Sequence, residues 1–212
     1  MSDMTTIAHG NAAPANPRAA LLAALASRRS VAAAGLAEPG PSAADIETLL
    51  TLAARAPDHA MLTPWRFILI EGEARAALGA RLAQAYRAGN PHMAPEKREK
   101  FAGIMSRLFP APLAVVVVSR PVEGTSIPPF EQELSAGAVC MNLLHGAHVL
   151  GYAGIWVTGW AATHDAAVRL LGVSEGERVA GILHVGTAKE PPSERARPDV
   201  AALTTRWTPP AD

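Results

Sequence analysis

From Leu134 to His164 the chain carries no Lys, Arg, Asp or Glu. A stretch of that length can span a bilayer, so it lies either in lipid or at the centre of a globular fold. Its interior favours the second. Ser135, Asn142, His145 and His148 are expensive to place in hydrocarbon, and Gly151 and Gly154 divide the stretch into a long helix and a short strand. The expectation is a soluble protein, not a membrane one, with a buried helix followed by a core strand.

The rest of the chain alternates helix and strand signals. Pro17 opens a helix through about Ser27, with Leu21, Leu22 and Leu25 on one side. Ser30 to Pro41 reads as a loop. Ser42 with Asp45 marks a helix start, and Ile46, Leu49, Leu50 and Ala53 form its apolar stripe until it ends before Pro57. Trp65 to Glu71 is the first expected strand, followed by helices over Glu73 to Ala88 and Pro95 to Phe109. Leu113 to Ser119 holds four consecutive valines, the mark of a strand buried on both faces. Pro128 and Pro129 introduce the long helix to about Leu150. Ala153 to Thr158 is a strand, Thr163 to Leu171 a short helix and Val179 to Val185 a last strand. Residues 1–16 lack periodicity and read as a flexible N-terminal tail, leaving residues 17–212 as one domain with an extended C-terminal tail.

Lys+Arg and Asp+Glu both number 19, so the formal net charge is zero. That balance argues against a nucleic-acid partner, which requires a basic surplus. Cys140 is the single cysteine, so no intrachain disulfide forms, as suits a reducing cytoplasm.

Three segments carry potential chemistry. Arg28-Arg29-Ser30, at a helix end, can grip a phosphate through charge-assisted hydrogen bonds; the same residues also suit a solvated helix C-terminus. Arg55-Ala56-Pro57-Asp58-His59 leads into Thr63-Pro64-Trp65 and offers donors and acceptors on a proline-fixed turn, or simply a helix-end loop. The run Gly151 to Gly159 is a strand flanked by glycines, where a backbone edge can approach a planar ligand or merely turn tightly. His145 and His148 have a helical spacing compatible with a metal, but no carboxylate or thiolate joins them, and no metal is expected. The glycines do not form a dinucleotide fingerprint.

The order of these motifs resembles the nitroreductase family, closest to its compact YdjA-like branch. Arg28-Arg29-Ser30 comes first, then Ala56-Pro57-Asp58-His59 with Pro64-Trp65-Arg66-Phe67. Glu131-Gln132-Glu133-Leu134-Ser135-Ala136-Gly137 and Gly154-Ile155-Trp156 follow, so the resemblance covers roughly residues 18 to 190. It implies an α+β fold, α/β-like in its alternation, with a mixed central sheet surrounded by helices, in an intertwined homodimer with FMN at the subunit interface. It implies further that Arg28, Arg29 and Ser30 hold the phosphate and ribityl end. Arg55 and His59 would reach the flavin of the other subunit, and Trp156, Val157 and Thr158 would line the ring. Gly146, Ala147, His148, Val149, Leu150 and Gly151 would lie near the nicotinamide nucleotide. Four positions depart from the pattern. Ala32 and Val157 stand where basic residues are common, Met61 and Thr63 where Asn and Gln are common.

The function implied is an FMN-dependent NAD(P)H oxidoreductase. Hydride would pass through flavin N5 to a nitroaromatic, quinone or related small acceptor by a ping-pong mechanism, the chemistry being carried by FMN and not by a catalytic side chain. Two alternatives stand beside it: a flavin enzyme of the same fold acting in dehalogenation or flavin modification, and a non-catalytic FMN-binding protein.

Overall fold

The computed structural model describes residues 16–210. The expected tail therefore lies outside the described residues, except for Asn16, whose side chain caps the first helix by accepting from Ala19 N.

The all-buried strand is the centre of the molecule. Strand β3 (Leu113–Ser119) is buried along its whole length. It pairs with β2 (Trp65–Glu71) on one side and β5 (Arg178–Ala188) on the other. Strand β1 (Leu36–Ala37) and strand β4 (Ala153–Val157) both pair with β5. Side chains alternate across a strand, so β3 feeds two cores. Ala114, Val116 and Val118 pack with Leu82, Tyr86 and Phe109 on one face. Leu113, Val115 and Val117 pack with Leu49, Val139, Cys140 and Leu143 on the other. The first face is covered by α3 (Ala74–Gly89), α4 (Pro95–Met105) and α7 (Asp165–Leu170). The second is covered by α2 (Ala43–Ala53) and α5 (Pro129–Val149).

The α+β architecture is as expected, but the sheet is not mixed. Every ladder is antiparallel, and the one parallel pairing among the described residues is an isolated bridge between Ser30 and Gly154. Between β2 and β3 the chain runs through two helices, α3 and α4, that pack on one another. Going out along one helix and back along the next returns the chain to the end it left, which sets antiparallel neighbours.

Local signals fare well. Ser42 and Asp45 form a reciprocal capping box at the start of α2. The expected helix over Thr163 to Leu171 is two pieces, α6 (Trp160–Thr163) and α7, because His164 is extended and caps α7 by accepting from Ala166 N. Helix α1 (Pro17–Ser27) buries none of its side chains; Leu21, Leu22 and Leu25 are all at least half exposed. Helix α5 is buried on one face only, with Phe130, Leu134 and Val149 open to solvent. No helix among the described residues is long and apolar enough to cross a membrane.

Candidate functional site

Two of the three sequence segments meet. The chain leaves α1 at Arg28, and Ser30 bridges Gly154 at the start of β4, Val31 N donating to Gly154 O at 3.2 Å. Gly154 is a contact point that only glycine fits: a Cβ there would stand 2.9 Å from the His184 carbonyl oxygen and 3.2 Å from Leu144 Cδ2. Because Gly154 turns its backbone away from β5 and toward the loop, Trp156, two residues on, presents its N–H and C=O to the same edge. Beyond Gly154 no strand of the described residues pairs with that edge. The result is a free backbone edge beside a pair of arginines.

The indole of Trp156 is fixed by a fault in the neighbouring ladder. Between Val117 and Val118 the register with β5 shifts, leaving Ala180 as the extra residue. Its carbonyl accepts from Trp156 Nε1 at 3.2 Å. The ring lies over Gly181, where any Cβ would collide with it. Val157 turns into the core against the α3–α4 face, and Thr158 is exposed just past the strand.

Arg28 Nη1 and Arg29 Nη1 are both buried and donate no hydrogen bond. Arg29 Nη1 does lie 2.8 Å from Glu194 Oε1, close enough to pair in charge but out of line for a hydrogen bond. Arg197 Nη2 reaches the same oxygen at 3.2 Å. Burial first, then the charges of Arg197 and Arg29, pull the Arg28 guanidinium below its ordinary pKa. Buried cationic donors without acceptors are costly. An anionic oxygen, such as that of a phosphate, is the kind of acceptor that suits such donors.

Arg55 and His59 form a separate platform. Arg55 is exposed just after α2. The turn beyond it is strained, with Ala60, Met61 and Thr63 at φ of 60°, 52° and 48°. It is held by Asp58, whose carboxylate accepts from Leu62 N at 3.1 Å and Thr63 N at 2.8 Å. Ser135 Oγ donates to Pro57 O at 2.7 Å and ties the turn to α5. His59 Nδ1 then lies 2.9 Å from Glu131 Oε2 at the mouth of a pocket of about 280 Å³ floored by Pro57, Ile127, Leu134 and Ala138. Glu131 carries no site signal in the sequence beyond its place in the Glu131-Gln132-Glu133 run. Among the described residues no hydrogen bond or ion pair links Arg55 or His59 to the Arg28–Ser30 loop of the same chain.

The stretch Gly146 to Gly151 is a helix end more than an open surface. Gly146 and Ala147 are buried, and a Cβ on Gly146 would press on Leu49 and Leu52 at 3.3 Å. Tyr152 N donates to Ala147 O at 2.8 Å around Gly151, whose φ is +87°. Val149 is exposed, while His148 Nε2 lies 3.1 Å from Ser27 Oγ. Burial, then Arg28 and His148, lower the pKa of His145. Among the described residues no cluster of three His, Cys, Asp or Glu is placed to hold a metal. Burial pushes the Cys140 thiol up to about 12, which leaves it inert.

Residues 25–187 match the Nitroreductase family. The chain is 38% identical over 165 residues to the "Putative NAD(P)H nitroreductase YdjA" of Escherichia coli K12, covering 77% of this chain and 85% of that one. The fold is similar to that of a nitroreductase-like family protein from Bacillus cereus, with a TM-score of 0.75, 24% identity, and 88% and 95% of the two chains covered. It is also similar to a nitroreductase with bound FMN from Bacteroides fragilis, with a TM-score of 0.67, 20% identity, and 88% and 98% covered.

Proposed function

The chain belongs to the nitroreductase family, and on that premise we propose that it is an FMN-dependent NAD(P)H oxidoreductase working as a homodimer. The observation that carries the reading is the buried Arg28 Nη1, which donates no hydrogen bond, with Arg29 paired in charge to Glu194 next to it, beside the free edge of β4. Arg28, Arg29 and Ser30 would hold the FMN phosphate. The backbone at Trp156, with Val157 and Thr158, would lie along the ring. When bound, FMN supplies the two-electron exchange between a reduced nicotinamide and an acceptor. The chain would orient it: the Trp156 backbone N–H, on the unpaired edge of β4, would be a fixed donor toward the ring, and such preorganised dipoles stabilise developing negative charge.

A second copy completes the site in this reading. Leu21, Leu22 and Leu25 on α1, with Phe130, Leu134 and Val149 on α5, are apolar side chains left open by one chain. Exposed apolar surface of that kind suits an interface, and an interface there brings Arg55 and His59 to the partner's cofactor. A single open edge serving donor and acceptor in turn gives ping-pong kinetics, with small nitroaromatics or quinones as acceptors. The test is direct. The purified protein should bind FMN, seen in its visible spectrum, and oxidise NADH or NADPH in the presence of menadione or a nitrofuran. A protein that neither carries nor takes up FMN would overturn the proposal, and one that binds FMN but oxidises no nicotinamide would overturn its enzymatic part.

A further inference from the structure

The arginine pair is held at both ends by groups distant in sequence. On its C-terminal side, Ser30 bridges Gly154 and Val31 N donates to Gly154 O. On its N-terminal side, Ser27 Oγ lies 3.1 Å from His148 Nε2. The second anchor matters because α1 buries none of its side chains, so apolar packing within the chain does not decide where that helix delivers Arg28. His148, by contrast, sits in the last turn of α5, which is locked into the core by Leu143, Leu144 and Ala147.

We infer that His148 is a positioning residue for the phosphate-binding arginines, acting through Ser27, and not a contact of the nicotinamide nucleotide. This rests on the reading of Arg28 and Arg29 as the FMN phosphate site. Three observations separate the two roles. The Nε2 atom is already engaged by Ser27. Gly146 and Ala147 beside it are buried against α2, out of reach of a nucleotide. A helix C-terminus is also the negative end of the dipole, the wrong pole for a pyrophosphate. One turn earlier, burial and then the charge of Arg28 lower the pKa of His145, which disfavours a second cation beside Arg28.

The test compares FMN with riboflavin, which lacks the phosphate, by flavin-fluorescence quenching on the apoprotein. His148→Ala and Ser27→Ala should each weaken FMN about three- to tenfold, the range of one partly exposed hydrogen bond, and leave riboflavin unchanged. The double variant should be no weaker than either single one. His148→Gln, which can still bond the serine hydroxyl, should restore most of the loss. With FMN saturating, the KM for NADH or NADPH should not move. A raised nicotinamide KM with intact FMN affinity, additive losses in the double variant, or equal losses for FMN and riboflavin would each overturn the inference. Arg28→Ala serves as the reference. If it weakens FMN selectively while His148→Ala does not, only the role of His148 falls; if it leaves FMN untouched, the phosphate site falls with it.

Discussion

The pyrrole side of the Trp156 indole sits against Gly181, with its Nε1 donating to the carbonyl of Ala180 at 3.2 Å, so a bulge in one strand sets the position of an aromatic ring on the next. A methyl group at position 181 would occupy the indole's place. Gly181→Ala should therefore swing Trp156 off β5 and cost about 1–3 kcal/mol of stability through overpacking. Tryptophan fluorescence should shift, and FMN affinity should fall because the ring at the strand edge has moved. An unchanged emission spectrum with unchanged stability would show that Trp156 does not rest there in solution.

Arg28→Ala separates phosphate from ring. Removing a buried charge-assisted donor should weaken FMN by at least tenfold, following about 1.5–3 kcal/mol for such bonds, while riboflavin binding stays near wild type. Equal weakening of both ligands would mean that Arg28 acts on the fold and not on the phosphate.

Acid should destabilise the protein in two windows. His184 is buried beside Phe109, its Nδ1 has no partner, and desolvation lowers its pKa to about 4. The folded protein thus refuses a proton that the unfolded chain accepts from about pH 6.5 downward. Stability is full above that value and falls by about 1.4 kcal/mol per pH unit down to about pH 4. Glu177 works lower. Its hydrogen bonds with Arg66 hold its pKa at about 2, so its contribution is present above the ordinary carboxylate value and is lost as pH falls below it. Urea unfolding of the wild type and of His184→Phe at pH 7 and pH 5 checks the first window; the variant should lose most of the difference. An equal loss in both proteins would assign the effect elsewhere.

The exposed faces of α1 and α5 should be an interface. Phe130→Asp combined with Leu134→Glu places charge on two apolar side chains that are 68% and 57% exposed in one chain. Light scattering should show the wild type at twice the monomer mass and the variant at the monomer mass, with weaker FMN binding. A monomeric variant that holds FMN as tightly as the wild type would remove Arg55 and His59 from the cofactor site.

Local chemistry was legible from the residues. The bounds of β3 follow from an unbroken apolar run of the kind that a sheet buries on both faces, and those of β2 from a β-rich run between Pro64 and Gly72. The capping box at Ser42 needs only a serine and an aspartate three apart. Strand β1 has no such signal. Two residues carry no periodicity, and Leu36–Ala37 becomes a strand only because β5 continues past Val185 to meet it.

The candidate site divides along the same line. The resemblance carried by the order of the motifs pointed to Arg28, Arg29, Ser30, Arg55, His59, Trp156, Val157 and Thr158. Which atoms they face was settled by packing. Glu131 meets His59 because a strained turn is tied to α5, and His148 meets Ser27 because the last turn of α5 ends beside α1. Those contacts join groups 72 and 121 residues apart. A single sequence sets propensity and local caps within a few residues. Distant hydrogen bonds exist only once the two cores about β3 have closed and fixed where each helix ends.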